Sequence, residues 1–169
     1  MFRLVYQIAI QLLIIYFKIA DLIGNSKAKA YNIGRKQWKE TLSGLHKDKS
    51  TYWIHAASHG EGLMAIPLIE KLIEKKECQI VISFFSPSGY NNFKYSHKNL
   101  FKIFLPLDTI KNAKEIIKII QPKHLVFVKY DLWMNLIIES QKNDIPISIF
   151  SANFHQKQWY FSPFSNWAK

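Results

Sequence analysis

Cysteine is almost absent from this chain, with Cys78 alone among 169 residues. That excludes a disulfide framework and any zinc site built on two or more thiolates, and it suits a reducing compartment. Glycine and proline number only six each, and neither they nor serine cluster into a linker or low-complexity tract; no internal repeat is present either. Acids are scarce, 12 Asp plus Glu against 23 Lys plus Arg, which leaves a net charge of +11. Arginine is scarcer still, limited to Arg3 and Arg35, so the positive charge is carried by lysine. Three catalytic signatures are missing. Without a G-x-S-x-G elbow there is no serine hydrolase. Without G-x-G-x-x-G or G-x-x-x-x-G-K there is no support for a dinucleotide enzyme or a P-loop NTPase. No pair of histidines has the spacing of a metal site, and no metal is expected.

What is present describes a folded protein with a basic surface: 49% hydrophobic and 15% aromatic residues over about one domain's length. A charge of this sign points to anionic partners, whether nucleic acid, a membrane surface or phosphorylated substrates. Nucleic-acid binding would rest on net charge alone, since no recognition motif accompanies it.

Residues 4–17 carry no charge, and Gly24 with Asn25 reads as a helix stop. Fourteen uncharged residues are too few to span a bilayer comfortably, and the lack of a small-residue cleavage site argues against a removable signal peptide. Gln7, Gln11, Lys18 and Asp21 recur at helical spacing and leave an apolar face of Leu4, Ile8, Leu12, Ile15 and Ile19. Such a face suits the lipid interface, or else packing against a partner domain. Lys27, Lys29, Arg35, Lys36 and Lys39 follow directly, a basic cluster that favours anionic lipid by roughly 1 kcal/mol per charge. The expected division is therefore an apolar membrane-associated helix over 1–24, a basic connector over 25–50 and a Rossmann-like domain over 51–169.

From residue 51 onward apolar runs alternate with helical patterns, the signature of βαβ units in a doubly wound parallel α/β sheet. Strands are expected at 52–56, 79–85, 101–105, 124–128 and 146–151, with helices at 63–75, 110–120 and about 132–142. Ligands of such sheets lie beyond the carboxyl ends of the strands. The residues there are small and polar: Ser58-His59-Gly60-Glu61-Gly62, Ser86-Pro87-Ser88-Gly89, Pro106-Leu107-Asp108, Lys129-Tyr130-Asp131 and Asn153. Glu61, between two glycines at a helix start, has the setting of an ionised general base open to close approach. Spacing alone favours an ordinary first-turn acid that complements the helix dipole. Ser86 to Gly89 reads as an anion-binding turn or as a plain N-cap. His55, inside a strand, reads as a satisfied core histidine, Cys78 as a small buried residue and Trp133 as packing.

Taken in order, Gly34-Arg35, Trp53-Ile54-His55-Ala56-Ala57-Ser58-His59-Gly60-Glu61, Pro67-Leu68, Ser86-Pro87-Ser88-Gly89, Leu105-Pro106-Leu107-Asp108, Asp131-Leu132-Trp133-Met134-Asn135 and Ala152-Asn153 form a series. That series resembles the N-terminal half of the 3-deoxy-D-manno-octulosonic acid (Kdo) transferases of lipopolysaccharide synthesis. The resemblance implies a two-domain GT-B glycosyltransferase on the cytoplasmic face of the inner membrane, moving Kdo from CMP-Kdo to the lipid A precursor. It implies Glu61 as the base, without metal or cofactor. It places Ser58, His59, Gly60, Gly62, Ser86, Ser88, Gly89, Asp131, Asn135 and Asn153 at the acceptor. The second domain, which carries most of the CMP-Kdo site, is expected to lie outside this chain, so transfer by these residues alone is not expected. The rival expectation is a non-catalytic, membrane-associated α/β module that binds anionic lipid.

Overall fold

The computed structural model describes residues 2–75 and 77–152. Its strands are β1 (Ser50–Ala56), β2 (Cys78–Phe84), β3 (Leu100–Phe104), β4 (His124–Val128) and β5 (Ile147–Phe150), all parallel in the order β3-β2-β1-β4-β5. Its helices are α1 (Phe2–Leu22), α2 (Ser26–Gly34), α3 (Trp38–Leu42), α4 (His59–Lys75), α5 (Pro87–Asn92), α6 (Ile110–Ile120) and α7 (Met134–Lys142).

The two-residue period of the strands sorts the core into two layers. Tyr52, Ile54 and Ala56 of β1 join Ile80, Ile82 and Phe84 of β2 against Ala65 and Ile69 of α4. On the other face Trp53, Val81, Ile103, Leu125 and Phe127 meet Ile116, Ile117 and Ile120 of α6 and Leu136 of α7. Both faces of the sheet are thus covered, as the near-continuous apolar runs of β1 and β2 require.

The expected α/β architecture is the one observed, with differences at element ends. α4 starts at His59 rather than 63, because Ser58 and Glu61 cap the turn that precedes the apolar periodicity. α7 starts at Met134: the chain leaves β4 through a left-handed Lys129 at φ 63° and returns to helical geometry only after Trp133. Residues 25–50 hold two helices whose Ala28, Trp38 and Leu42 are buried.

The Gly34-Arg35 pair explains how these helices dock. A Cβ on Gly34 would come within 2.2 Å of the Phe104 ring, so α2 reaches β3 only because the side chain is absent. Arg35 then inserts its guanidinium among Phe17, Tyr31 and Phe85, and donates from Nε to the carbonyl of Leu105.

α1 turns its polarity inside out. Tyr6 and Gln7 face the domain together with buried Ile10, Phe17 and Ala20. Leu4, Val5, Ile8, Leu12, Ile15, Tyr16 and Ile19 are exposed, each by half or more. The uncharged run of 14 residues understated this helix: from Arg3 to Leu22 it has 20 residues of mean hydropathy 1.5, enough by length and composition to cross a membrane.

Gly34→Ala is expected to lower stability by about 1–3 kcal/mol through overpacking against Phe104. Gly60→Ala, which meets nothing within 4 Å, is expected to leave it unchanged or raise it slightly. Thermal denaturation separates the two; equal melting temperatures would mean that α2 does not rest on Phe104 in solution.

Candidate functional site

β1 and β4 are neighbours in the sheet but send their helices to opposite faces, so the strand order reverses between them. The carboxyl ends of such a pair leave a crevice that loops from both strands can line. Here the β1 end delivers Ser58 to Glu61 and the β4 end delivers Asp131.

Glu61 sits in the first turn of α4, half-buried, and its Oε2 accepts a 2.5 Å hydrogen bond from the Ala57 N–H. Ser58 Oγ accepts, more weakly, from the Glu61 N–H at 3.4 Å. The pattern is a capping box displaced by one residue, and the Ser-x-x-Glu spacing is its signal in the sequence. It fixes the carboxylate and leaves Oε1 without a protein partner among the described residues. The flanking glycines differ. Gly60 is exposed with open space around it, whereas a Cβ on Gly62 would lie 2.7 Å from the Phe84 ring. Gly60 opens the approach to Glu61; Gly62 lets α4 settle on the core.

Behind the crevice runs a chain of hydrogen bonds. Trp53 Nε1 donates to Ser83 Oγ at 2.9 Å, and Ser83 Oγ lies 2.9 Å from His55 Nδ1. His55 Nε2 lies 2.9 Å from Asp131 Oδ2, which also accepts from Trp133 Nε1 at 3.0 Å. A carboxylate only accepts, so in the neutral ring Nε2 carries the proton toward Asp131 and Nδ1 accepts from the Ser83 hydroxyl, while Trp133 Nε1, also 3.2 Å from Nε2, gives its proton to the shared Asp131 oxygen. His55 is fully buried and satisfied on both nitrogens, as its place in a strand suggested, yet one partner is a partly exposed carboxylate of the site. Trp133 packs against Phe85 and also orients Asp131.

Asp108, at the end of the β3 loop, is almost entirely buried. Its carboxylate accepts from Tyr6 Oη at 2.6 Å, Asn135 N at 2.8 Å and Leu136 N at 3.0 Å. Burial raises its pKa to about 6, outweighing the opposing pull of those three donors. The same burial, with the Asp108 charge beside it, pushes the Tyr6 hydroxyl well above its ordinary range. Asn135 is buried too, donating to the Asp108 carbonyl and accepting from Gln7 Nε2 at 2.7 Å.

Ser86 is the N-cap of the short α5: its Oγ accepts from Gly89 N at 3.0 Å and lies 3.1 Å from Ser88 Oγ. Ser88 is exposed, while Gly89 is buried against Phe84 and the Ser58 backbone, which brings the first two loops into contact. His59 keeps a shielded Nδ1 without a hydrogen-bond partner. Asn153 lies outside the described residues. Among the described residues no cluster of three His, Cys, Asp or Glu could hold a metal ion. Two hollows of about 550 and 660 Å³ lie at the amino ends of the strands, around Lys118 and Gln121, away from these loops.

The raised pKa of Asp108 has a defined sign in stability. Between its ordinary value near 3.8 and about 6 the folded chain holds this proton more tightly than the unfolded one. The group's contribution therefore falls as pH rises through that interval and is level above it. Guanidinium denaturation of the wild type and Asp108→Asn at pH 4.5 and 7 is expected to show the wild type's margin shrinking toward pH 7; a constant margin would remove the buried carboxylate from the account. His55→Ala, which leaves a cavity and strips Ser83 and Asp131 of a partner, is expected to cost about 2–4 kcal/mol in the same assay.

A family profile described as 3-Deoxy-D-manno-octulosonic-acid transferase (kdotransferase) matches residues 36–168. A bifunctional glycosyltransferase/methyltransferase of Fusobacterium nucleatum is 33% identical over 136 residues, 79% of this chain and 21% of that protein. The 3-deoxy-D-manno-octulosonic acid transferase of Haemophilus influenzae is 33% identical over 102 residues, 59% of this chain and 24% of that one. That of Aquifex aeolicus is 29% identical over 115 residues, 67% of this chain and 31% of that one. The chain thus aligns with about a fifth to a third of these relatives' lengths. With a profile match over most of its length, a parallel α/β sheet and an apolar N-terminal helix, the chain belongs to the 3-deoxy-D-manno-octulosonic-acid transferase family, as its N-terminal domain.

Proposed function

We propose that this chain is the acceptor-binding domain of a glycosyltransferase that moves Kdo from CMP-Kdo to the lipid A precursor, with Glu61 as the general base. The observation that carries the reading is the state of Glu61 at the strand-order reversal: Oε2 tied to the Ala57 N–H, Oε1 without a partner among the described residues, and the open side of Gly60 beside it. Oε1 takes the proton of an acceptor sugar hydroxyl as its oxygen attacks the anomeric carbon of Kdo. The bond from that carbon to the CMP phosphate breaks, and the electron pair leaves with CMP. The donor is held by a second domain of the whole enzyme, and no metal or cofactor is assigned to the step.

Around the base, Ser58, His59, Gly60, Ser86, Ser88 and Asp131 form the acceptor wall. Gly62, Gly89 and Asn135 contribute by packing and by holding the loops and α7 in place. Asp131, fixed from behind by His55 and Trp133, presents a carboxylate suited to sugar hydroxyls.

α1 supports a membrane-bound acceptor. Tyr6 and Gln7 are spent on the domain while Leu4, Ile8, Leu12, Ile15 and Ile19 are exposed, with Lys18, Lys27 and Lys29 nearby to meet anionic headgroups. Because Tyr6 and Gln7 bind residues at the carboxyl edge of the sheet, the lipid-facing helix and the Glu61 edge belong to one side of the molecule. The membrane in this reading is the inner membrane, at its cytoplasmic face.

The test is mass spectrometry of a lipid A precursor incubated with CMP-Kdo and the chain joined to the second domain of a related transferase. Transfer is expected, and Glu61→Gln is expected to reduce it by about 10²–10⁴-fold. Folded, joined protein that transfers nothing yet still sediments with anionic vesicles would replace this reading with a lipid-binding module. Leu12→Glu with Ile15→Glu, on the exposed face, is expected to abolish that sedimentation while leaving the melting temperature of the domain in place.

A further inference from the structure

Arg35 is better clamped than it is neutralised. Its Cζ lies 5.1, 4.3 and 4.8 Å from the ring centroids of Phe17, Tyr31 and Phe85. Nε donates to the Leu105 carbonyl at 2.9 Å, and Nη2 reaches the Phe85 carbonyl at 3.4 Å. Nη1 is shielded from solvent and has no hydrogen-bond partner, and among the described residues no carboxylate is paired with the guanidinium. Aromatic faces offset part of a buried charge, but they accept N–H groups poorly. Desolvation accordingly lowers the pKa of Arg35 to about 10.

Beside this cation is an open cavity of about 250 Å³ walled by Ile14 of α1, Arg35 and Lys36 just after α2, Trp38 of α3, Leu107 of the β3–α6 loop and Asn112 of α6. Its lining holds two cations and no acid. Asp21, on the same flank, is bound to Asn32 Nδ2. The α1 wall, Ile14, adjoins Ile15 on the face exposed to the surroundings.

We propose that this cavity binds a phosphate group carried by a membrane lipid, with Arg35 as the buried cation and Lys36 as the outer one. The placement rests on the reading of α1 as a helix in the lipid interface, which puts the cavity at headgroup depth. A phosphate supplies what the cavity lacks, an anion between two cations with no acid in the lining, and it matches a guanidinium better than a carbonyl can. The clamp itself uses Nε and Nη2, so ligand binding does not compete with docking of α2.

The probe is dihexanoyl phosphatidic acid below its micelle concentration, titrated against the chain with tryptophan fluorescence as readout, since Trp38 lines the cavity. Saturable binding is expected. Lys36→Glu, which reverses the outer charge, and Ile14→Trp, which fills the space, are each expected to weaken it about tenfold or more, the effect of one charge-assisted hydrogen bond. Lys71→Glu makes the same charge change on exposed α4 surface outside the cavity and is expected to leave binding within about twofold. Equal losses for Lys71→Glu and Lys36→Glu, or no loss for Ile14→Trp, would overturn the site in favour of diffuse attraction. Inorganic phosphate binding as tightly as the lipid would overturn the assignment to a lipid. The interfacial reading of α1 is judged apart from this, by vesicle sedimentation of Leu12→Glu with Ile15→Glu; the monomeric lipid decides the cavity even where that reading fails.

Discussion

One buried carboxylate joins the parts of this domain that have to act together. Asp108 accepts from α1 through Tyr6 and from the first turn of α7 through Asn135 and Leu136, while its own backbone carbonyl takes the Asn135 amide. Three donors converging on two oxygens outside the helix ladder are costly to leave unmet, so the β3 loop, α1 and α7 hold or separate as a unit. Burial nonetheless disfavours the charge, which is why the carboxyl sits near pH 6 rather than below 4. The arrangement trades some stability at neutral pH for a fixed geometry at the edge where the site lies.

The consequence for α1 is an inversion of ordinary amphipathicity. A helix on a soluble domain turns its apolar stripe inward. Here the inward stripe contains Tyr6 and Gln7 as well as Ile10 and Phe17, and a continuous apolar stripe from Leu4 to Ile19 faces out. An exposed patch of that kind, flanked by lysines, is stable beside a lipid surface and a liability in water. The clamp around Arg35 fastens the other half of the helix, through Phe17, to the carboxyl ends of β2 and β3.

Much of the site was legible, though for mixed reasons. The strand ends that should carry chemistry were identifiable from the alternation of apolar runs and small polar loops, and Glu61 stood out through its glycines. The structure divides those glycines, leaving Gly60 open and packing Gly62 on Phe84. Neither half of that distinction is visible in a Gly-x-Gly string, because it depends on which ring the helix meets. His55 reads from sequence as a satisfied core histidine; that its partner is Asp131, 76 positions away, follows from the pairing of β1 with β4. Asn135 reads as one member of a polar motif, but its amide is enclosed by Asp108 and Gln7.

What the sequence by itself determined was the class of the fold and the family. Period-two apolar runs separated by period-3.6 segments admit little besides a parallel sheet wrapped on both faces, and short ordered motifs are local strings that survive without coordinates. Tertiary structure alone decided which way α1 faces, which glycine is open and which carboxylates are buried. Those outcomes rest on contacts between residues far apart in the chain, such as Tyr6 with Asp108 or Gly34 against Phe104, and on the desolvation those contacts impose.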